Sequence, residues 1–335
     1  MNPDATMSAM FRTMRPFFIA LGCTWAALLV AAIIYSRQHT HSHWVMTAAL
    51  PAFLVEAIFY LGAGIEASRA SLDRIHIPRL KALLLWVSAL LPYCIFSIAA
   101  GTFNRNAFYL LAMLTGLLAF WHVLFPRRAA YDLGFLVIAA APIILHVFQR
   151  IYRSPDDTRI DVLGHLMWIR LGIAALLILR EWRPGAFGFW PDRKEWRTGL
   201  LWYLIFVVPL VVLALATHDV RFEPPSGPGW KVAISAIGTF FGSLWVVAFS
   251  EELFFRGVIE RFLLSKGRSI VVAIAVSAVL FGMAHLATGQ FPNWRRALTA
   301  ILLGVVLGVV YARTESVRAS MVTHAFVVTT WRVIF

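Results

Sequence analysis

Charge is scarce in this sequence. Lys, Arg, Asp and Glu make up 14% of its 335 residues, and hydrophobic residues make up 60%. A soluble domain averages roughly 25% charged and about 45–50% apolar. So much apolar surface cannot be hidden in water, which excludes an ordinary soluble fold and makes a bilayer the natural solvent. Cysteine is nearly absent. Cys23 and Cys94 both sit inside apolar runs, with no CxxC and no Cys/His ligand spacing, so they read as buried, inert thiols. Acids are scarcer than bases, 17 against 30, for a net charge of +13. In a soluble protein that imbalance would suggest nucleic acid. Here the charges fall between apolar runs and suit anionic lipid headgroups, so no nucleic-acid partner is expected. Internal repeats and low-complexity tracts are absent too.

What the sequence has is long apolar runs. A membrane-crossing helix needs about 20 mostly apolar residues. Candidate spans lie at 17–35, 44–65, 80–100, 107–125, 133–148, 161–179, 198–216, 230–262, 269–287, 296–312 and 317–335. The expected fold is therefore all-α, a polytopic transmembrane bundle of ten or eleven helices. The span 133–148 is short and can be re-entrant or tilted. The span 230–262 is too long for one crossing and should project or bend near Gly238 or Gly242. The first run, Phe17–Tyr35, lacks a small-residue cleavage site before His39 and reads as a retained helix. With the N-terminus in the cytoplasm and eleven crossings, Lys and Arg of the inside segments outnumber those outside by about two to one. Segments 181–197 and 261–268 are then cytoplasmic, in what would be a bacterial inner membrane. A loose boundary near 195 separates scaffold helices 1–195 from a domain at 196–335.

Ionisable groups inside a membrane cost about 2.5–3.5 kcal/mol each on insertion scales and are functional candidates by default. The sharpest cluster is Ser250-Glu251-Glu252-Leu253-Phe254-Phe255-Arg256-Gly257. On a helix Glu252 and Arg256 are four apart and can pair. Glu251 is turned by about 100° from Glu252. It has no partner on its own helix and must look across to another. His285, in Phe281-Gly282-Met283-Ala284-His285, and His324, in the last span, are what it could meet. A glutamate and two histidines on three helices can activate water by general-base catalysis or hold a divalent metal such as zinc. Spacing alone does not choose. A purely structural hydrogen-bond network is the bland alternative; the adjacent acid pair with its matched Arg favours function.

Other polar residues carry less. Arg170 sits mid-span and needs an acid, for which Glu56 is a candidate. His122, His146 and His165 stand alone. His39, His41 and His43 alternate in a loop, more as a solvated segment than a metal site. Gly304 and Gly308 form a small-xxx-small pair suited to close helix packing. There is no HExxH, no GxGD to partner Tyr131-Asp132, and no GxSxG or rhomboid-like elbow.

Taken in order, Glu251-Glu252-x-x-x-Arg256, Phe281-x-x-x-His285 and Gly304-x-x-x-Gly308-x-x-Tyr311 leading to His324 resemble the CPBP family of CAAX proteases and bacteriocin-processing enzymes, which includes the type II CAAX prenyl endopeptidases. The resemblance covers about 230–335. It implies an intramembrane endopeptidase in which Glu251 and His285 activate the attacking water and His324 stabilises the oxyanion. Glu252 and Arg256 would organise the site or the substrate. It leaves open a glutamate mechanism without cofactor or a metal one, with Glu251, His285 and His324 as ligands. The family usually has an asparagine four residues after the third-motif His; here that residue is Val328. Ser320, one turn before His324, could face the same way and supply the missing donor, while Thr329 and Thr330 are worse placed. The expected partners are a membrane-associated protein or peptide and the bilayer. The competing readings are a non-catalytic relative, acting as scaffold or peptide-toxin immunity factor, and a transporter with a Glu/His proton relay. Related halves, the mark of many transporters, are not seen.

Overall fold

The computed structural model describes residues 3–38, 44–156, 158–223, 225 and 227–335, with side chains from residue 13 onward. His39, His41 and His43 lie outside the described residues. The described residues form helices α1 Pro3–Gln38, α2 Val45–Gly64, α3 Glu66–Asp73, α4 Pro78–Ala99, α5 Arg105–Leu124, α6 Ala129–Ile144, α7 Val147–Ile151, α8 Asp161–Leu179, α9 Arg193–Ala216, α10 Gly229–Ser265, α11 Ile270–Ala287, α12 Trp294–Thr314 and α13 Val317–Ile334. Among them there is no strand, only an isolated bridge between Ala186 and Ser316. The fold is the all-α polytopic bundle expected.

Local chemistry sets the helix ends. Side chains of Asn104, Ser269, Asn293 and Ser316 accept from the first-turn N–H groups of α5, α11, α12 and α13. Asp192 and Glu195 close a reciprocal capping box on α9. Pro78 sits in the first turn of α4, where no N–H is needed.

Nine of these helices are long and apolar enough to cross a membrane. All eleven expected spans are helical, but two fall outside that nine. One is α6, with 16 residues; the other is α13, which carries Arg318, His324 and Arg332. The long span is a single helix, α10. It runs through Gly238 and Gly242 and changes directly afterwards to wider π-helical winding at Ser243–Ala248 and again at Leu253–Glu260. Such segments occur often at functional sites.

The chain divides into two compact units, 1–182 and 183–335. In the first unit, Arg170 on α8 meets the acid expected for it. Its Nε donates to Glu56 Oε1 at 2.7 Å, and its Nη atoms donate to the Ser88 hydroxyl and carbonyl at 2.9 and 2.8 Å. Both charges are buried. In the second unit, α9 and α13 lie side by side, with Thr323 donating to Gly199 O and Tyr203 bonded to Thr330. α11 and α12 pack closely where Gly282 faces Ile301 and Gly304 faces Ala278.

Removing one half of a buried ion pair strands the other. Arg170→Met should cost about 3–5 kcal/mol. Glu56→Gln added to Arg170→Met should recover much of that loss, as read by melting of the purified protein in detergent.

Candidate active site

The site grows from the acid pair on α10. Glu252 is wholly buried. Its Oε1 accepts from Arg256 Nη1 at 3.2 Å, the pairing expected from their spacing, and lies 2.8 Å from His324 Nδ1 on α13. Arg256, also wholly buried, donates its second Nη to Gly304 O on α12 at 3.0 Å. Its guanidinium lies over the Phe281 ring of α11, 4.7 Å from the centroid. A Cβ on Gly304 would stand 2.9 Å from Ala278 Cα, so a larger residue would push α12 off α11 and carry its carbonyl out of Arg256's reach. Gly308 does similar service one turn on, against Glu260 and Ile274. The glycine pair is packing, as its spacing suggested.

Glu251 approaches the other edge of the same imidazole. Its Oε2 is 3.9 Å from His324 Nε2, beyond hydrogen-bond length, and has no hydrogen-bond partner among the described residues. Its side chain is 31% exposed, against none for Glu252. The expectation of one locally neutralised acid and one looking across is thus met with an addition. The locally paired Glu252 also crosses to α13, and it makes the short contact.

His285 stands at the end of α11. Its Nδ1 lies 2.8 Å from Phe281 O. That carbonyl can only accept, so Nδ1 is the donor, and in the neutral form of the ring Nε2 is then bare. Phe281 is buried among Arg256, His285 and His324, with ring centroids 4.6 Å from His285 and 5.7 Å from His324. It is the wall against which the polar groups are set.

Glu251, His285, His324 and Val328 all line one cavity of about 580 Å³, with apolar walls from Leu210, Val247, Ala300 and Leu303. Ser320 does not line it. Its buried hydroxyl donates to Leu307 O at 3.2 Å, toward α12, so the compensating donor expected there is directed elsewhere. Among the described residues no group of three or more His, Cys, Asp or Glu is gathered to hold a metal ion. The three candidate ligands share a cavity without forming a ligand set.

Residues 231–330 match the family described as Rce1-like, type II CAAX prenyl endopeptidase Rce1-like. No curated protein and no solved structure matches the chain. The Rce1-like segment spans under a third of the sequence and contains Glu251, Glu252, Arg256, Phe281, His285, Ser320 and His324. It starts just inside α10, leaving the first unit and α9 outside.

Two features of the second unit leave little or no trace in the motifs of the sequence. Asp219, just past α9, forms an ion pair with Arg296 at 3.2 Å on the cavity wall; a loop acid with a partner 77 positions away leaves no local signal. Glu260 is buried, with neither oxygen hydrogen-bonded among the described residues. Its signal was present, since Glu252, Arg256 and Glu260 recur every four residues on one helix.

Because the Ser320 hydroxyl serves Leu307, Ser320→Ala should act on stability alone. A loss of about 1 kcal/mol is expected for the hydrogen bond, seen as a lower melting temperature with no change in what the cavity binds.

Proposed function

We propose that the protein is an intramembrane endopeptidase acting on a membrane-associated protein or peptide. The observation that carries the reading is the grip on His324: Nδ1 is tied to buried Glu252, while Nε2 faces Glu251 inside the cavity. In the proposed reaction a water attacks the scissile carbonyl and gives its proton to the Glu251 carboxylate. The bare Nε2 of His285 orients or assists that water. The carbonyl oxygen becomes an oxyanion and takes a hydrogen bond from His324 Nε2–H. The tetrahedral intermediate then collapses, the C–N bond breaks, and Glu251 returns the proton to the leaving amine. To donate from Nε2 while Nδ1 donates to Glu252, His324 must carry both protons. The four groups then balance: Glu251 and Glu252 negative, Arg256 and His324 positive. Balance matters where each uncompensated charge is expensive.

A second reading rests on Val328. It occupies the cavity wall one turn beyond His324, where the resembling family usually carries an asparagine. A relative that holds a peptide without cleaving it would tolerate an apolar group there.

Glu251→Gln separates the two readings, because it keeps the shape and removes the base. Cleavage of a panel of C-terminal and leader peptides should fall by a factor of about 10² or more. Glu252→Gln should instead lower stability, since Arg256 and His324 lose their shared partner in a dry site. Equal loss of stability in both variants, with unchanged specific activity, would sink the assignment. Val328→Asn should be tolerated because Val328 lines the cavity, and should raise the chemical step about tenfold or more if it adds an oxyanion donor. Activity should survive a chelator. Its loss would favour a metal held by Glu251, His285 and His324.

A further inference from the structure

The cavity has a direction. At one end of the second unit, the start of α9 meets the end of α12 and the start of α13. Arg318 pairs with Glu195 at 3.0 Å, and Tyr311 donates to Pro184 O at 2.8 Å. The end of α10 arrives there too, with Arg261 3.5 Å from Glu315. At the other end, the segment after α9 meets the start of α12 and the end of α13. Asp219 pairs with Arg296, Glu223 N donates to Ile334 O, and the rings of Phe222 and Phe335 lie 6.2 Å apart. The cavity belongs to this second end, because its outer wall is Asp219, Arg221, Glu223, Arg296, Arg332 and Phe335.

The two ends differ in charge. The end away from the cavity carries Arg193, Lys194 and Arg197 on α9 and Arg261, Lys266 and Arg268 around the end of α10. Arg183, Arg313 and Arg318 add to it. The cavity end carries Arg221, Lys231, Arg295, Arg296 and Arg332. The ratio is about two to one, and Lys and Arg bias is what orients short membrane loops, the richer side staying in the cytoplasm. The second unit shows this bias by itself, whatever the number of crossings before it.

We propose that the cavity opens on the extracytoplasmic face. Resting on the protease reading above, this makes the substrate a peptide segment presented outside, at the emerging end of a membrane anchor. A cytoplasmic prenylated tail would arrive on the wrong side. Apolar walls at Leu210, Val247, Ala300 and Leu303 suit the anchor's end, and the charged outer wall suits its hydrated continuation.

Side-specific labelling tests the direction without any need for activity. In a Cys23→Ser, Cys94→Ser background, Arg332→Cys and Arg221→Cys sit at the mouth, and Arg268→Cys at the opposite end. A membrane-impermeant maleimide should label the first two in intact cells and Arg268→Cys only after lysis, with all three reacting in lysed cells. Labelling of Arg268→Cys in intact cells, with the mouth positions protected until lysis, would overturn the proposal. Peptide cleavage by the detergent-purified Cys23→Ser, Cys94→Ser parent, whose cavity wall is unchanged, is a separate readout. A correctly labelled but inactive protein counts against the protease reading and leaves the orientation standing.

Discussion

The buried carboxylate of Glu252 is the constraint around which the second unit is arranged. An ion taken out of water loses several kcal/mol of solvation unless hydrogen bonds replace it. Glu252 receives its replacement from Arg256 on its own helix and from His324 on α13. Arg256, equally buried, must spend its remaining donors elsewhere and reaches Gly304 O on α12, while Phe281 of α11 lies under its guanidinium. One ion thus fixes the relation of four helices. Gly304 follows as a requirement, because only close approach of α11 and α12 brings that carbonyl within range.

The first unit uses the same physics to a different end. Arg170 there has Glu56, the Ser88 hydroxyl and the Ser88 carbonyl, all within 2.9 Å. Every nitrogen is engaged, and none of these residues lines the cavity that holds Glu251. Ionic groups closed in this way hold helices together. Glu251 contrasts with them. It is partly exposed, it lines the cavity, and it faces an imidazole at a distance too long for a bond. Intramembrane charge alone does not mark chemistry; the proposed reaction rests on the one carboxylate left open toward the cavity.

That distinction bounds what could be read from the sequence. Pairing within a helix is local, so Glu252 with Arg256 followed from spacing. Glu56 with Arg170 followed from necessity, since a mid-span arginine must find an acid. Which carboxylate binds His324 was not legible, because it depends on how deeply α13 sits against α10, and burial is set by all the neighbours together. Ser320 shows the same limit. One turn from His324 in sequence, it donates instead to the Leu307 carbonyl of the neighbouring α12. The wider winding on both sides of Phe249–Glu252 also lacked a signal beyond the glycines before it.

The adjacency of the two glutamates has a geometric reason. Acids spaced four apart are stacked on one helix face and would approach the same edge of a ring inserted from a neighbour. Adjacent acids diverge by about 100°. An imidazole carries its two nitrogens on different edges, so a ring lowered between diverging carboxylates can meet one with Nδ1 and the other with Nε2. His324 does this, at 2.8 Å to Glu252 and 3.9 Å to Glu251. The asymmetry follows from burial. The carboxylate turned into the bundle has no solvent and must bond closely. Its neighbour, turned toward the cavity, can stay apart from the ring, and the proposed reaction places the attacking water in that gap.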